Sequence, residues 1–377
     1  MNMHFRCDVA RKTHCRRSKA MRWTLCVGTL WVFFVFAVNA PVAHAEEEDE
    51  TEWSAQLRWG MEYDDNPNRV QAHDGSGSPA MRYLAGGDLL TDVGDSGRLS
   101  ATLYHGGTFF YRESDANTVL NEVTGQGIWW LAERFSSQIL LDLKDRTERQ
   151  SRRDYTRGGA ALRLSASPGP LQLWVDGGWR FMAFKPSPEA GYSGPQFRTG
   201  LRWLARKDLA IDVSWGRSRR SFDTRALKRD DDLITLSPDT WRSDRFDILR
   251  LTARYQRRVH AQLRVQHLQN SSNSYGQRMR RRGVEASLTT PTVWDIFFST
   301  RAEVQRTDYE DPVRIDDTFM IDDDHRNTVV AAFNRRIADP WEIELRYSLY
   351  TQEFGIGDEF RRQTLGVILG VHLDDSD

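Results

Sequence analysis

Arginines recur at even spacings along several apolar runs of this chain. Arg198 and Arg202 sit in one run, Arg250 and Arg254 in another, and Arg264 in the next. In an extended strand, alternate residues share a face. These five would then form a basic stripe, and rings of arginine in a water-filled pore favour anions. Arg58, Arg163, Arg180, Arg301 and Arg346 fall at equivalent positions. So do the acids Glu62, Asp142, Asp176, Asp212, Glu285, Glu303, Glu342 and Glu344. The competing expectation is that opposite charges pair across strands and only solvate the wall.

Other candidate chemistry is thinner. Gly94-Asp95-Ser96-Gly97 looks like the nucleophile segment of trypsin-like proteases, but its composition suits a tight turn. His73-Asp74 and Asp324-His325 fall on expected extracellular loops, where some barrel proteases place Asp and His. Asp230-Asp231-Asp232, Asp316-Asp317 and Asp322-Asp323-Asp324 could hold Ca²⁺, or bridge lipopolysaccharide through divalent ions. Their spacing matches no EF-hand, and a solvated loop face accounts for them. Phosphate-loop, dinucleotide and zinc motifs are absent. The expectation is no enzyme, no cofactor and no metal site.

The elements that must position these residues follow from a period of two. Trp53, Ala55, Leu57, Trp59, Met61 and Tyr63 alternate with Ser54, Gln56, Arg58, Gly60 and Glu62. Leu171 to Phe181, Leu209 to Trp215 and Trp341 to Leu349 repeat the pattern, and no helical stripe competes. About sixteen such runs are predicted. They span 53–63, 81–93, 98–111, 119–131, 136–145, 157–167, 171–183, 195–204, 208–218, 246–256, 259–268, 281–289, 295–306, 327–337, 341–351 and 360–373. Ten residues at about 3.3 Å each, tilted by about 40°, cross an apolar band of about 25 Å. Tight connections, such as Pro168-Gly169-Pro170 and Ala338-Asp339-Pro340, alternate with long polar ones at 64–80, 146–156, 184–194, 219–245, 269–280 and 307–326. That is the pattern of a transmembrane antiparallel β-barrel of about sixteen strands, with short periplasmic turns and long extracellular loops. In lipid every backbone group needs an internal partner, and a closed sheet supplies one without an edge. Aromatics gather near strand ends: Trp53, Trp130, Trp203, Trp294 and Trp341 by short turns, Tyr63, Tyr111, Phe184 and Trp215 by long loops. Two interfacial girdles are expected.

Composition sets the frame. The chain has 377 residues, with 39% hydrophobic, 28% charged and 11% aromatic residues. Beyond the N-terminus no stretch is apolar enough for a membrane helix. Residues 1–45 read as a cleaved secretory signal peptide, with a basic opening, an apolar run from Trp23 to Val38, and Ala43-His44-Ala45 as the cleavage site. Arg16-Arg17 hints at twin-arginine export, but the apolar residues expected just after the pair are missing. All three cysteines, Cys7, Cys15 and Cys26, lie in this segment, as do seven basic residues and one acid. The remainder carries 45 Lys and Arg against 52 Asp and Glu, a net charge of −7, and no cysteine. That suits an oxidising compartment and argues against nucleic acid as a partner. A short acidic segment, 46–52, leads into the barrel, 53–373, and an acidic tail, 374–377, follows.

The first run ends in Leu57-Arg58-Trp59-Gly60-Met61-Glu62-Tyr63 and leaves through Asp64-Asp65-Asn66-Pro67-Asn68-Arg69. Gly60, Tyr63, Asp64 and Asn66 match the Gly-x-x-Tyr-Asp-x-Asn stretch of an outer-membrane β-barrel porin family, which the chain resembles. It is similar as well to the barrel of surface-lipoprotein assembly modifiers and to barrels of exopolysaccharide gene clusters. The assembly modifiers carry a helical-repeat domain before the barrel, where this chain has about seven residues. The last run, Leu365 to Leu373, is similar to the C-terminal strand that barrel assembly machinery recognises, without the usual terminal aromatic. The resemblance implies location in the cell outer membrane, contact with outer-membrane lipid and lipopolysaccharide, and passage of polysaccharide or small polar or anionic solutes. It implies no catalytic residues. A non-conducting barrel acting through loops and partner proteins is the alternative, and a barrel hydrolase the third.

Overall fold

Alternating apolar and polar residues force one face of each strand toward an apolar medium, and the chain satisfies every strand edge by closing on itself. The structure, a computed structural model, describes residues 51–67, 77–149, 154–231, 233–311, 327–352 and 360–374. The expected signal peptide, His73-Asp74, Asp316-Asp317, Asp322-Asp323-Asp324 and His325 lie outside the described residues.

Sixteen strands form one antiparallel sheet. They are β1 (Thr51–Asp64), β2 (Ser78–Val93), β3 (Gly97–Phe110), β4 (Thr118–Ala132), β5 (Phe135–Glu148), β6 (Tyr155–Ala166), β7 (Leu171–Phe184) and β8 (Tyr192–Arg206), followed by β9 (Leu209–Asp230), β10 (Leu233–Gln256), β11 (His260–Ser272), β12 (Met279–Pro291), β13 (Ile296–Tyr309), β14 (Asn327–Ala338), β15 (Trp341–Gln352) and β16 (Phe360–Asp374). Each pairs with its sequence neighbours, and β1 pairs with β16 from Ser54↔Asp374 to Asp64↔Thr364, which closes the barrel. The two strands approach closely at Gly60. A Cβ there would lie 2.1 Å from the carbonyl oxygen of Val367.

Turns alternate as the sequence predicts. One rim carries the turns after β2, β4, β6, β8, β10, β12 and β14, and the other carries the longer connections, except between β9 and β10. Gly94-Asp95-Ser96 is a single 3-10 turn between β2 and β3, and Gly94 holds a left-handed φ of 57°. Trp294 and Asp295 are also left-handed, in the turn between β12 and β13.

The outer face is apolar. Leu57, Leu103, Leu141, Leu162, Leu173, Val213, Leu263, Val284, Leu345 and Val367 are all exposed there. A soluble monomer's largest apolar patch is about 300–600 Å², and this band runs around the ring. Trp53, Trp130, Trp203, Trp294 and Trp341 are exposed near the short-turn rim, as one girdle requires. Among the described residues no helix is long and apolar enough to cross a membrane.

Two expectations are corrected. The segment 219–245 is not a loop: β9 and β10 run 22 and 24 residues and meet at Asp231. Past Phe222 and before Asp244 these strands pair only with each other. Phe184 is not in a girdle. It turns inward and is buried with Tyr155, Met182, Ala190, Tyr192 and Phe222.

Candidate functional site

The inner wall holds the chemistry. Parity places Asp176 of β7 between Arg163 of β6 and Arg198 of β8, its Cα partners on either side. The buried carboxylate accepts from both: Arg163 Nη2 at 2.8 Å and Arg198 Nε at 2.9 Å. Arg163 also lies 4.3 Å from the centroid of Trp174. Asp212 of β9 repeats the device. It accepts from Arg202 Nε at 2.7 Å and from Arg254 Nη1 at 2.9 Å. A carboxylate has about four acceptor sites, so one can serve two guanidinium groups. Each of these triads keeps one positive charge in excess, and its arginines remain partly exposed to the lumen.

Further round, Arg264 of β11 donates to Glu285 of β12 at 2.7 Å. Arg301 of β13 bridges Glu285 and Glu303, which makes this group neutral. Arg250 shares the inward face of β10 with Arg254, two residues above Thr252. The structure therefore brings Arg198, Arg202, Arg254 and Arg264 onto neighbouring strands, each with a carboxylate partner, and sets Arg250 among them. Sequence parity located the arginines, and the sharing of one acid by two of them became visible only with the register.

The wall near β16 is balanced. Arg58 sits between Glu342 at 3.4 Å and Glu344 at 2.8 Å, with Arg346 3.9 Å from Glu344. Glu62 pairs with Arg82, and buried Asp64 accepts from Arg362 Nε at 2.7 Å. β8 and β16 stand half the ring apart. The positive excess of β6–β10 thus faces a neutral wall.

Toward the long-loop rim the lumen wall carries residues that sequence reasoning missed. Arg220 stacks between Tyr192 and Phe246, 4.5 and 4.0 Å from their centroids, and Arg242 lies 4.1 Å from Phe222. Arg242 forks onto buried Asp244 and donates to Gln277 Oε1 at 2.9 Å. Ser272 donates to the same carboxylate at 2.6 Å. The consecutive apolar residues Phe181-Met182-Ala183-Phe184 were the available signal. Above a lipid band, both faces of a strand can pack against protein.

At the loop between β5 and β6, Asp154 is 6% exposed and accepts from the backbone N–H of Glu148. Burial raises its carboxyl above the ordinary value, opposed by that hydrogen bond and by Lys185, and reinforced by the charges of Glu148 and Asp145. Among the described residues no group of three or more His, Cys, Asp or Glu converges to hold a metal ion.

No protein-family model matches the chain, and no curated protein matches it by sequence. Solved structures do share the barrel form. An outer membrane protein of Vibrio cholerae, OmpT, matches over 87% of this chain and 98% of its own, at 9% identity and a TM-score of 0.46. The toluene transporter TodX of Pseudomonas putida covers 91% and 93% at 8% identity and 0.38. The siderophore receptor PirA of Pseudomonas aeruginosa covers 87% and 81% at 9% and 0.35. Likeness at this level carries no function across.

Proposed function

We propose that the chain is a porin-like channel of the outer membrane that passes polar solutes and favours anions. The outer face supports the location, because a continuous apolar ring on a closed sheet suits lipid and not water. The observation that carries the function is the pair of triads, Arg163–Asp176–Arg198 and Arg202–Asp212–Arg254. Their carboxylates fix the guanidinium groups in place, and the uncompensated charge faces the lumen. A solute such as an acidic saccharide would be drawn along this wall without a catalytic step.

The test is conductance of the purified, folded barrel in a planar bilayer under a KCl gradient. A reversal potential on the chloride side is expected. Cation preference would sink the anion assignment. A folded barrel with no conductance would favour the alternative, a structural barrel acting through its loops and partners.

A further inference from the structure

The outer wall of β11–β13 combines charge and apolar surface in a way the channel does not use. His267, Arg282 and Arg306 are direct cross-strand partners, forming one row on the lipid side. Like charges set opposite each other on a sheet destabilise it. Arg306 reaches back to Asp308 at 3.1 Å, while Arg282, between the other two, contacts no carboxylate among the described residues. The next row toward the short-turn rim is wholly apolar: Leu251, Val265, Val284 and Val304 are successive partners, all exposed. Both rows line one outward groove of about 440 Å³. The row holding Arg282 and Arg306 lies on the long-loop side of the apolar one.

We infer that this groove binds a phosphorylated lipid of the outer leaflet, with the phosphate on Arg282 and Arg306 beside His267 and an acyl chain against Leu251, Val265 and Val284. Charge complementarity selects the occupant. A phosphate accepts from two guanidinium groups at once and relieves the repulsion along the row, as guanidinium geometry favours. The adjoining row is apolar and exposed, so the same ligand must carry hydrocarbon. A free anion would leave that half of the groove unused. This rests on the outer wall facing lipid, but not on the lumen conducting.

The experiment is native mass spectrometry of the folded full chain in detergent, titrated with diphosphorylated lipid A, its dephosphorylated form, and inorganic phosphate. Wild type should retain lipid A, and the dephosphorylated lipid should bind about tenfold more weakly or less. Arg282→Ala with Arg306→Ala should lose the difference, while unboiled gel migration and bilayer conductance stay at wild-type values. Val284→Ser tests the apolar half and should weaken both lipids. Equal retention of both lipids by wild type, or unchanged retention by the double variant, would overturn the site. Competition by millimolar inorganic phosphate alone would reassign it to a free anion. A barrel that binds lipid A but does not conduct would refute the channel and leave this site standing.

Discussion

Single carboxylates hold the inner wall together. Asp176 is buried and is the shared partner of two arginines whose side chains are 24% and 36% exposed. Asp176→Asn would leave both guanidinium groups short of a counter-charge. Partial exposure tempers the cost to about 1–3 kcal/mol. It should appear as a lower temperature for loss of the heat-modifiable gel band, and an unchanged temperature would mean water already compensates the pair. Asp154 predicts a pH effect of defined sign. Its folded value is raised by burial, so the folded state holds its proton to higher pH than the unfolded one. Stability is therefore greatest below the ordinary carboxylate value of about 3.9 and falls as pH rises through the raised one. Asp154→Asn keeps an oxygen to accept the Glu148 N–H and removes the titration. Its midpoint should match wild type at acid pH and exceed it near neutrality. Parallel pH profiles would show that Asp154 does not contribute.

Strands carry most of what was legible in advance. Every predicted run became a strand, because residues crossing an apolar band must alternate and leave a period-two trace. β9 and β10 show where that trace stops. The stretch Asp223-Thr224-Arg225-Ala226-Leu227-Lys228 lies beyond the pairing with β8, and no apolar medium sorts its two faces. Hydrogen bonds between the two strands, with the Tyr275 N–H donating to the Leu227 carbonyl at 2.9 Å, hold it there, and they leave no compositional mark. The edges are blunted by Arg225, Lys228 and Arg229, a common defence against edge pairing. The buried aromatic cluster escaped for the same reason: parity separates lumen from lipid only while lipid is present. Closure makes its own demand on sequence at Gly60. Gly60→Ala would push a Cβ to 2.1 Å from the Val367 carbonyl and force β1 from β16. A loss of roughly 1–3 kcal/mol is expected as a lower unfolding temperature. Gly177→Ala is the control, since its added Cβ meets nothing within 4 Å. Equal effects at both positions would point to backbone entropy rather than to closure.

Across the whole barrel, charge is distributed unevenly although local pairs are nearly complete. The chain's net charge of −1 gives no sign of this, because the average runs over the whole sequence. Position in the ring decides what a solute meets. Arg202 and Arg254 lie on the wall around β8, and the opposite wall, where Arg58 and Arg346 meet Glu342 and Glu344, is balanced. On the proposed channel function, a permeating ion would cross a lateral field directed from one wall to the other, and local concentration would follow its sign. Arg202→Gln with Arg254→Gln would convert the second triad from one excess positive charge to a lone Asp212. Both side chains are at least 32% exposed, so water can solvate the carboxylate and the barrel should still fold. The double variant should shift the reversal potential toward cations, with the shift shrinking as salt shortens the screening length from about 10 Å at 0.1 M to about 3 Å at 1 M. A shift independent of salt would indicate that the substitutions changed the width of the pathway instead of its field. No shift at all would show that ions take a route away from the β8 wall.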